Sequence, residues 1–310
     1  LVLIVGVVVI SISSSVAVKN SATLASALGV SSLIIGITLV SIGTDISEII
    51  NSVISCALGH GDIDVGDSIG SSLTQLTLVF GVLPFCCGSF IVKRKEFLII
   101  GSCLILSLFM VYIVIEKGYF TRIDALFLIL SLVFYTMVSY NVTKSDMLDK
   151  VDLMMEDEIN NINKKRILIL AIIGFGGVAI SSYGIIQSVL ILSRNLNIPE
   201  YLISFVLVSF GTSLPELSVD ISALRRKKYN IAIGDIIGSC IVDATLSVSI
   251  GQLLFPQVIS ADLAIPTILY TIFASFIVVL LVSKRQIMDK KSGILLISIY
   301  ISSFLFITFL

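Results

Sequence analysis

A chain of 310 residues with 56% hydrophobic and only 13% charged side chains cannot present an ordinary water-facing surface, since a soluble domain carries roughly 25% charged residues. Its net charge of −1 argues neither for nucleic-acid binding nor for a polybasic membrane-surface protein. Cys56, Cys86, Cys87, Cys103 and Cys240 lie in apolar runs without paired spacing, which suits small packing residues better than disulfides or a metal cluster.

A membrane-crossing helix needs about 20 apolar residues. Such runs cover 2–18, 24–56, 65–88, 97–115, 124–141, 167–192, 200–224, 232–254, 264–283 and 292–310, which predicts an all-α integral membrane protein with ten transmembrane helices. The first run passes through Ser13 to Lys19 straight into the second, so no cleavable signal peptide is expected, and the missing initial Met leads to the expectation of a trimmed amino terminus. The second run is too long for one straight helix and is interrupted at Gly43-Thr44-Asp45. A polar stretch from Thr143 to Arg166 separates two sets of five spans: a first repeat over 1–142, a cytoplasmic linker over 143–166 and a second repeat over 167–310. With both termini outside, every Lys and Arg except Lys117, Arg122 and Arg194 falls in an inside loop, as the positive-inside rule requires of a multi-pass cell-membrane protein.

The two sets are copies. Ser41-Ile-Gly-Thr-Asp-Ile-Ser-Glu48 matches Ser209-Phe-Gly-Thr-Ser-Leu-Pro-Glu216, and Gly66-Asp-Ser-Ile-Gly-Ser71 matches Gly234-Asp-Ile-Ile-Gly-Ser239 without a gap between motifs. Identities at Gly, Thr, Glu, Asp and Ser are not what shared hydrophobicity alone produces. Five spans per copy is an odd number, so the second copy enters the membrane inverted, a recurring plan of secondary transporters.

Carboxylates inside a bilayer cost about 2.5–3.5 kcal/mol each on the insertion scale. Here they recur at matched places. Thr44 with Glu48, Thr212 with Glu216, Ser71 with Gln75, and Ser239 with Asp243 are each four apart and share a helix face. Together they offer only oxygen ligands, which suits hard cations such as Ca2+, Na+ or Mg2+ and not Zn2+ or Cu+. Gly43 and Gly211 are expected to let the helix unwind and free the carbonyls of Ser41 and Ser209 as further ligands. Gly66, Gly70, Gly234 and Gly238 permit close helix approach. Asp67 and Asp235 divide evenly between capping their helices and lying in the ion path. Asp220, Asp124 and Asp262 read as boundary or interhelical residues, and His60 as solvent-exposed.

At these motifs the sequence resembles the cation/calcium exchanger superfamily, most closely its prokaryotic Na+/Ca2+ exchanger branch. The resemblance spans essentially the whole chain. It implies a ten-helix fold whose spans two, three, seven and eight form the ion core, while spans one and six slide across it to alternate access. It also implies Ca2+ held by Glu48, Glu216, Thr44 and Thr212, with Na+ positions completed by Ser71, Ser239, Ser213, Asp243 and the carbonyls of Ser41 and Ser209. The departures are Asp45 for the usual Ser, Ser47 for Pro, Gln75 for Asn, and Asp67 and Asp235 for Asn. Asp45 makes four acids with Glu48, Glu216 and Asp243, more charge than one divalent ion neutralises. At least one is therefore expected to carry a proton in some states.

The expected function is a Ca2+ antiporter driven by Na+, with H+ coupling to Ca2+ or another divalent as the alternative. No cofactor, no enzymatic activity, no nucleic-acid partner and a monomer in lipid are expected. A channel or passive carrier would instead need no counter-ion. An intramembrane aspartyl protease, suggested by Gly59-His-Gly-Asp62, is disfavoured because Asp62 is expected in a short outside loop beside Asp64, with no intramembrane Asp to share its proton.

Overall fold

The computed structural model describes residues 2–27, 41–155, 164–227 and 229–308. Helices dominate, because a backbone surrounded by lipid must satisfy its own polar groups. The first is α1 (Val2–Ala27), followed by the short α2 (Ser41–Thr44) and α3 (Ile46–Ala57). Helix α4 (Gly61–Leu73) runs through a π-helical turn at Thr74–Val79 into α5 (Phe80–Cys87). The strand β1 (Phe90–Ile91) leads to α6 (Arg94–Ile115), and β2 (Tyr119–Phe120) to α7 (Arg122–Met155).

The second half opens with α8 (Lys164–Leu196) and α9 (Glu200–Ile203), then a π turn at Ser204–Val208. It continues as α10 (Ser209–Thr212) and α11 (Leu214–Arg225), then α12 (Tyr229–Val242), a π turn at Asp243–Ser247 and α13 (Val248–Leu254). The strand β3 (Gln257–Val258), α14 (Ala261–Arg285), β4 (Ile287–Met288) and α15 (Lys290–Ile307) complete the chain.

Among the described residues, eight helical segments are long and apolar enough to cross a membrane. The expected spans over 24–56 and 124–141 are the remaining two; the first includes 28–40, which lies outside the described residues, as do the side chains of 139–155. Two boundaries differ from expectation. Helix α4 begins at Gly61, so Asp62 and Asp64 stand in its first turn and not in a loop. The polar stretch from Thr143 is helical as far as Met155.

Burial separates a centre from a periphery. The most apolar stretches of Gly61–Cys87 and Tyr229–Leu254 are 78% and 83% buried, against 22% for α1. The centre closes because small residues let backbones meet. A Cβ on Gly66 would lie 2.6 Å from the carbonyl oxygen of Tyr201, and one on Gly70 would collide with that of Phe205. Ser204 Oγ donates to the carbonyl of Ile63 at 2.7 Å across the same contact. The expected close approach at Gly234 and Gly238 is not found among the described residues, where a Cβ on either meets nothing within 4 Å. By the 168-residue offset, their partners would be residues 33–37, outside the described set. At the periphery α1 lies along α8, with Gly174 against Ala17 and Gly177 against Ser13.

The bundle has two distinct ends. At one, β2 pairs with β3, His60 meets Glu200 at 3.1 Å, and Ser260 N donates to Asp62. At the other, β1 pairs with β4 and the rings of Phe90 and Tyr229 stack at 6.1 Å. The connections at this second end carry Lys93, Arg94, Lys95, Arg225, Arg226, Lys227, Lys284, Arg285, Lys290 and Lys291, while those at the first carry Lys117, Arg122 and Arg194. His60, expected to be solvent-exposed, is instead half-buried against Glu200.

Candidate cation site

Each half breaks a helix at the same point. Asp45 separates α2 from α3 with φ −84°, ψ 17°, and Ser213 separates α10 from α11 with φ −81°, ψ 2°. Pro215 explains the second break in part, because it has no N–H to continue the ladder. Ser47 stands at the equivalent place in the first half, so the break does not depend on proline. Each new helix then carries a glutamate, Glu48 or Glu216, in its first turn. The positive end of the helix dipole favours a carboxylate there.

Two such ends converge. Oxygens of Asp45, Glu48 and Glu216 lie within 4.8 Å of one another, and none of the three residues is more than 1% exposed. Ser47 Oγ donates to Glu48 Oε2 at 2.7 Å, whereas Glu48 Oε1 and both carboxylate oxygens of Glu216 meet no donor among the described residues. Neither glutamate is paired with Lys or Arg there. Like charges 4.8 Å apart repel by about 3.5 kcal/mol at an effective dielectric near 20. Calcium takes oxygens at about 2.3–2.6 Å, so two ligands across one ion stand about 5 Å apart. The spacing therefore suits a shared cation, which would turn the repulsion into ligation.

Hydroxyls surround the acids in reciprocal pairs. Thr44 Oγ1 lies 3.4 Å from Ser239 Oγ, and Thr212 Oγ1 lies 3.2 Å from Ser71 Oγ. Each pair joins the two halves, and the pairs exchange under the repeat offset. Other repeat equivalents touch each other directly. Ser72 Oγ donates to the carbonyl of Cys240 at 3.3 Å, and Gln75 Nε2 donates to Asp243 Oδ2 at 3.3 Å. Asp243 is wholly buried, its Oδ1 meets no donor among the described residues, and it lies within Coulombic reach of Asp45 and Glu48.

Several expectations change. The carbonyl of Ser209 is not freed: it accepts Ser213 N at 3.2 Å and Ser213 Oγ at 2.8 Å. Gly211 and Gly43 do not mark the break, which falls two residues later; their missing side chains instead admit Val7 and Val18 of α1. The backbone of Ser41 lies in α2, and its side chain is outside the described residues. Asp67 and Asp235 are not caps, since each sits six positions past the first residue of its helix. Asp67 accepts Asn51 Nδ2 at 2.6 Å and Thr212 Oγ1 at 3.1 Å, joining α3, α4 and α10. Asn51 was not singled out in the sequence, although its place one turn beyond Glu48 puts it on the same face. Asp124 is a boundary residue as expected, bonded to Lys117 at 2.6 Å and to Thr121.

An α-helical membrane bundle with a buried, oxygen-only acid cluster between two broken helices is the architecture of a cation-handling membrane protein. A family model described as sodium/calcium exchanger protein matches residues 1–141 and 166–309. The chain belongs to that family. An uncharacterized membrane protein of Methanocaldococcus jannaschii is 28% identical over 76% of this chain and 73% of its own length. The sodium/calcium exchanger MaX1 of Methanosarcina acetivorans is also 28% identical, over 42% of this chain and 37% of its own. A solved structure of the sodium-calcium exchanger NCX_Mj, soaked with 10 mM Na+ and 10 mM Sr2+, matches with a TM-score of 0.62 at 26% identity, covering 98% of this chain and 96% of that one.

Proposed function

We propose that this protein is a secondary active antiporter that exchanges Ca2+ for Na+ across the cell membrane by alternating access. The observation that carries this reading is the oxygen cluster of Asp45, Glu48 and Glu216, buried and within 4.8 Å, at the ends of two broken helices. In it, Glu48 and Glu216 bind Ca2+ with Thr44 and Thr212. Ser71, Ser213, Ser239, Gln75 and Asp243, with backbone oxygen from Ser41, serve the competing Na+ ions. Asp45 adds a carboxylate that either ion set must neutralise. The relatives named as exchangers and the reciprocal Thr44–Ser239 and Thr212–Ser71 contacts support the reading.

The topology that goes with it has ten spans in two inverted repeats, 1–142 and 167–310, joined by a cytoplasmic linker over 143–166, with both termini outside. The crowding of basic residues at one end of the bundle supports that sidedness. Helices α1 and α8, packed on each other through small residues, slide across the central helices. Exchange follows from electrostatics: a site with several unneutralised carboxylates resists crossing a low-dielectric slab, and one filled by Ca2+ or by Na+ does not. Coupling to H+ is the second reading, favoured by the extra acid Asp45.

Sealed vesicles decide between the two. Ca2+ uptake driven by an outward Na+ gradient at constant pH is expected to exceed uptake driven by a pH gradient alone. Equal Ca2+ flux without any Na+ would overturn Na+ coupling, and flux without any counter-ion would overturn antiport.

A further inference from the structure

Not every buried acid belongs to the central cluster. Asp64 stands in α4 at the base-poor end of the bundle and is 1% exposed. Its Oδ2 accepts Gln252 Nε2 at 3.0 Å and Cys56 Sγ at 3.3 Å, whereas Oδ1 meets no donor among the described residues. No Lys or Arg there pairs with it. Gln252, wholly buried on α13, gives its N–H to Asp64, and its Oε1 meets no donor among the described residues. The hydroxyl of Ser52 accepts Gly251 N at 3.1 Å and lies within hydrogen-bonding reach of the same carboxylate. Two oxygens that meet no donor among the described residues thus share a buried place beside Cys56, whose carbonyl accepts the Gln257 amide at 3.0 Å.

That place leads inward. Asp64, Asp67 and Ser71 recur at helical spacing on α4, as do Cys56, Ser52 and Glu48 on α3. Between the ends of these stripes lies Asn51, which donates to Asp67 and whose Oδ1 also meets no donor among the described residues. Buried acceptors without donors are costly in an apolar bundle, and a passing cation relieves each in turn.

We propose that Asp64 and Gln252 form a second, outer cation station that takes a hard monovalent cation of the Na+ class on its way between the base-poor end and the Glu48–Glu216 cluster. One carboxylate is balanced by one monovalent charge, whereas a divalent ion would leave an uncompensated positive charge in the same place. Carboxylate, amide and hydroxyl oxygens are hard ligands. The transport consequence rests on the antiporter reading; the binding does not.

Two measurements test the station on the full-length purified protein. In the Glu216→Gln protein, replacing choline by Na+ at constant ionic strength is expected to raise Tm, since a ligand bound only by the folded state stabilises it. Adding Asp64→Asn or Gln252→Ala is expected to remove most of that rise. No rise in Glu216→Gln, or an undiminished rise in both double variants, overturns the station. In vesicles of known orientation, Asp64→Asn alone is expected to raise the half-saturating Na+ at the base-poor face by about tenfold, the worth of one charged ligand. The half-saturating Na+ at the opposite face stays unchanged. Equal shifts at both faces mark Asp64 as merely structural and overturn the proposal. If Asp64→Asn does not fold, Gln252→Ala decides by the same readouts. An Asp64-dependent Tm rise in a protein that shows no exchange would sink the antiporter reading alone.

Discussion

The two halves supply the same number of acids to the centre but from different helices. In the first, Asp45 sits at the helix break beside Glu48, and Gln75 occupies the π turn. In the second, Ser213 sits at the break beside Glu216, and the acid is at the π turn, as Asp243. The backbone repeats faithfully: the breaks at Asp45 and Ser213 have nearly equal dihedrals. Thr77 and Thr245 likewise bond back to the carbonyls of Leu73 and Ile241. The difference teaches that the duplicated backbone sets where polar side chains stand, while the second acid of each half can sit at the helix break in one and at the π turn in the other. Gln75 complements that arrangement, because its amide donates to the Asp243 carboxylate, which an ionised acid in its place would repel.

The strongest way to break the comparison is to remove its common element. Glu48→Gln and Glu216→Gln are each expected to abolish Ca2+ uptake into Na+-loaded vesicles, since both helix ends contribute to one cluster. Substantial exchange in one of the two would mean that a single half holds the ion.

Packing gives the next largest effect. Gly70→Ala drives a methyl into the carbonyl of Phe205 and is expected to cost about 1–3 kcal/mol, read as a lower Tm of the purified protein. Gly238→Ala is expected to cost a similar amount if the packing is duplicated as the backbone is; no change at Gly238 would show that the halves pack differently.

Asp45→Ser restores the hydroxyl that the second half carries at the break. Exchange is expected to survive with a flatter dependence on pH. An unchanged pH profile would remove Asp45 from the ion site and leave the halves less different than their sequences.

The smallest effect is expected at Asp62, which accepts Ser260 N at 2.8 Å at the base-poor end. Asp62→Ala is expected to leave exchange unchanged and to cost at most about 2 kcal/mol, since the carboxylate also accepts Ser260 Oγ and loses two exposed hydrogen bonds. Loss of transport would revive a catalytic or conducting role for the Gly59-His-Gly-Asp62 motif.

Much of the site was legible because duplication marks it twice. Glu48 and Glu216 stood out as matched acids in apolar surroundings, and four-residue spacing put Thr44 and Thr212 beside them. Local spacing could not say which carbonyls a break would release, and the carbonyl of Ser209 is taken up by Ser213. Nor could it place Asp67, whose role depends on Asn51 and Thr212, 16 and 145 residues away. The glycines misled for a related reason. Gly43 and Gly211 precede the breaks, yet their missing side chains answer to Val18 and Val7 on α1.

By itself, then, the sequence determined the solvent, the helical class, the duplication and the oxygen-only chemistry. All four follow from composition, from hydrophobic length and from periodicity along one chain. The tertiary structure decided which oxygens meet. Only the crossing of the two halves brings Asp45 and Glu48 within 4.8 Å of Glu216 and seats Gln75 on Asp243. The physical reason is that a helix fixes neighbours three and four residues away, while contacts across 168 residues depend on how the small residues of one helix admit the backbone of another.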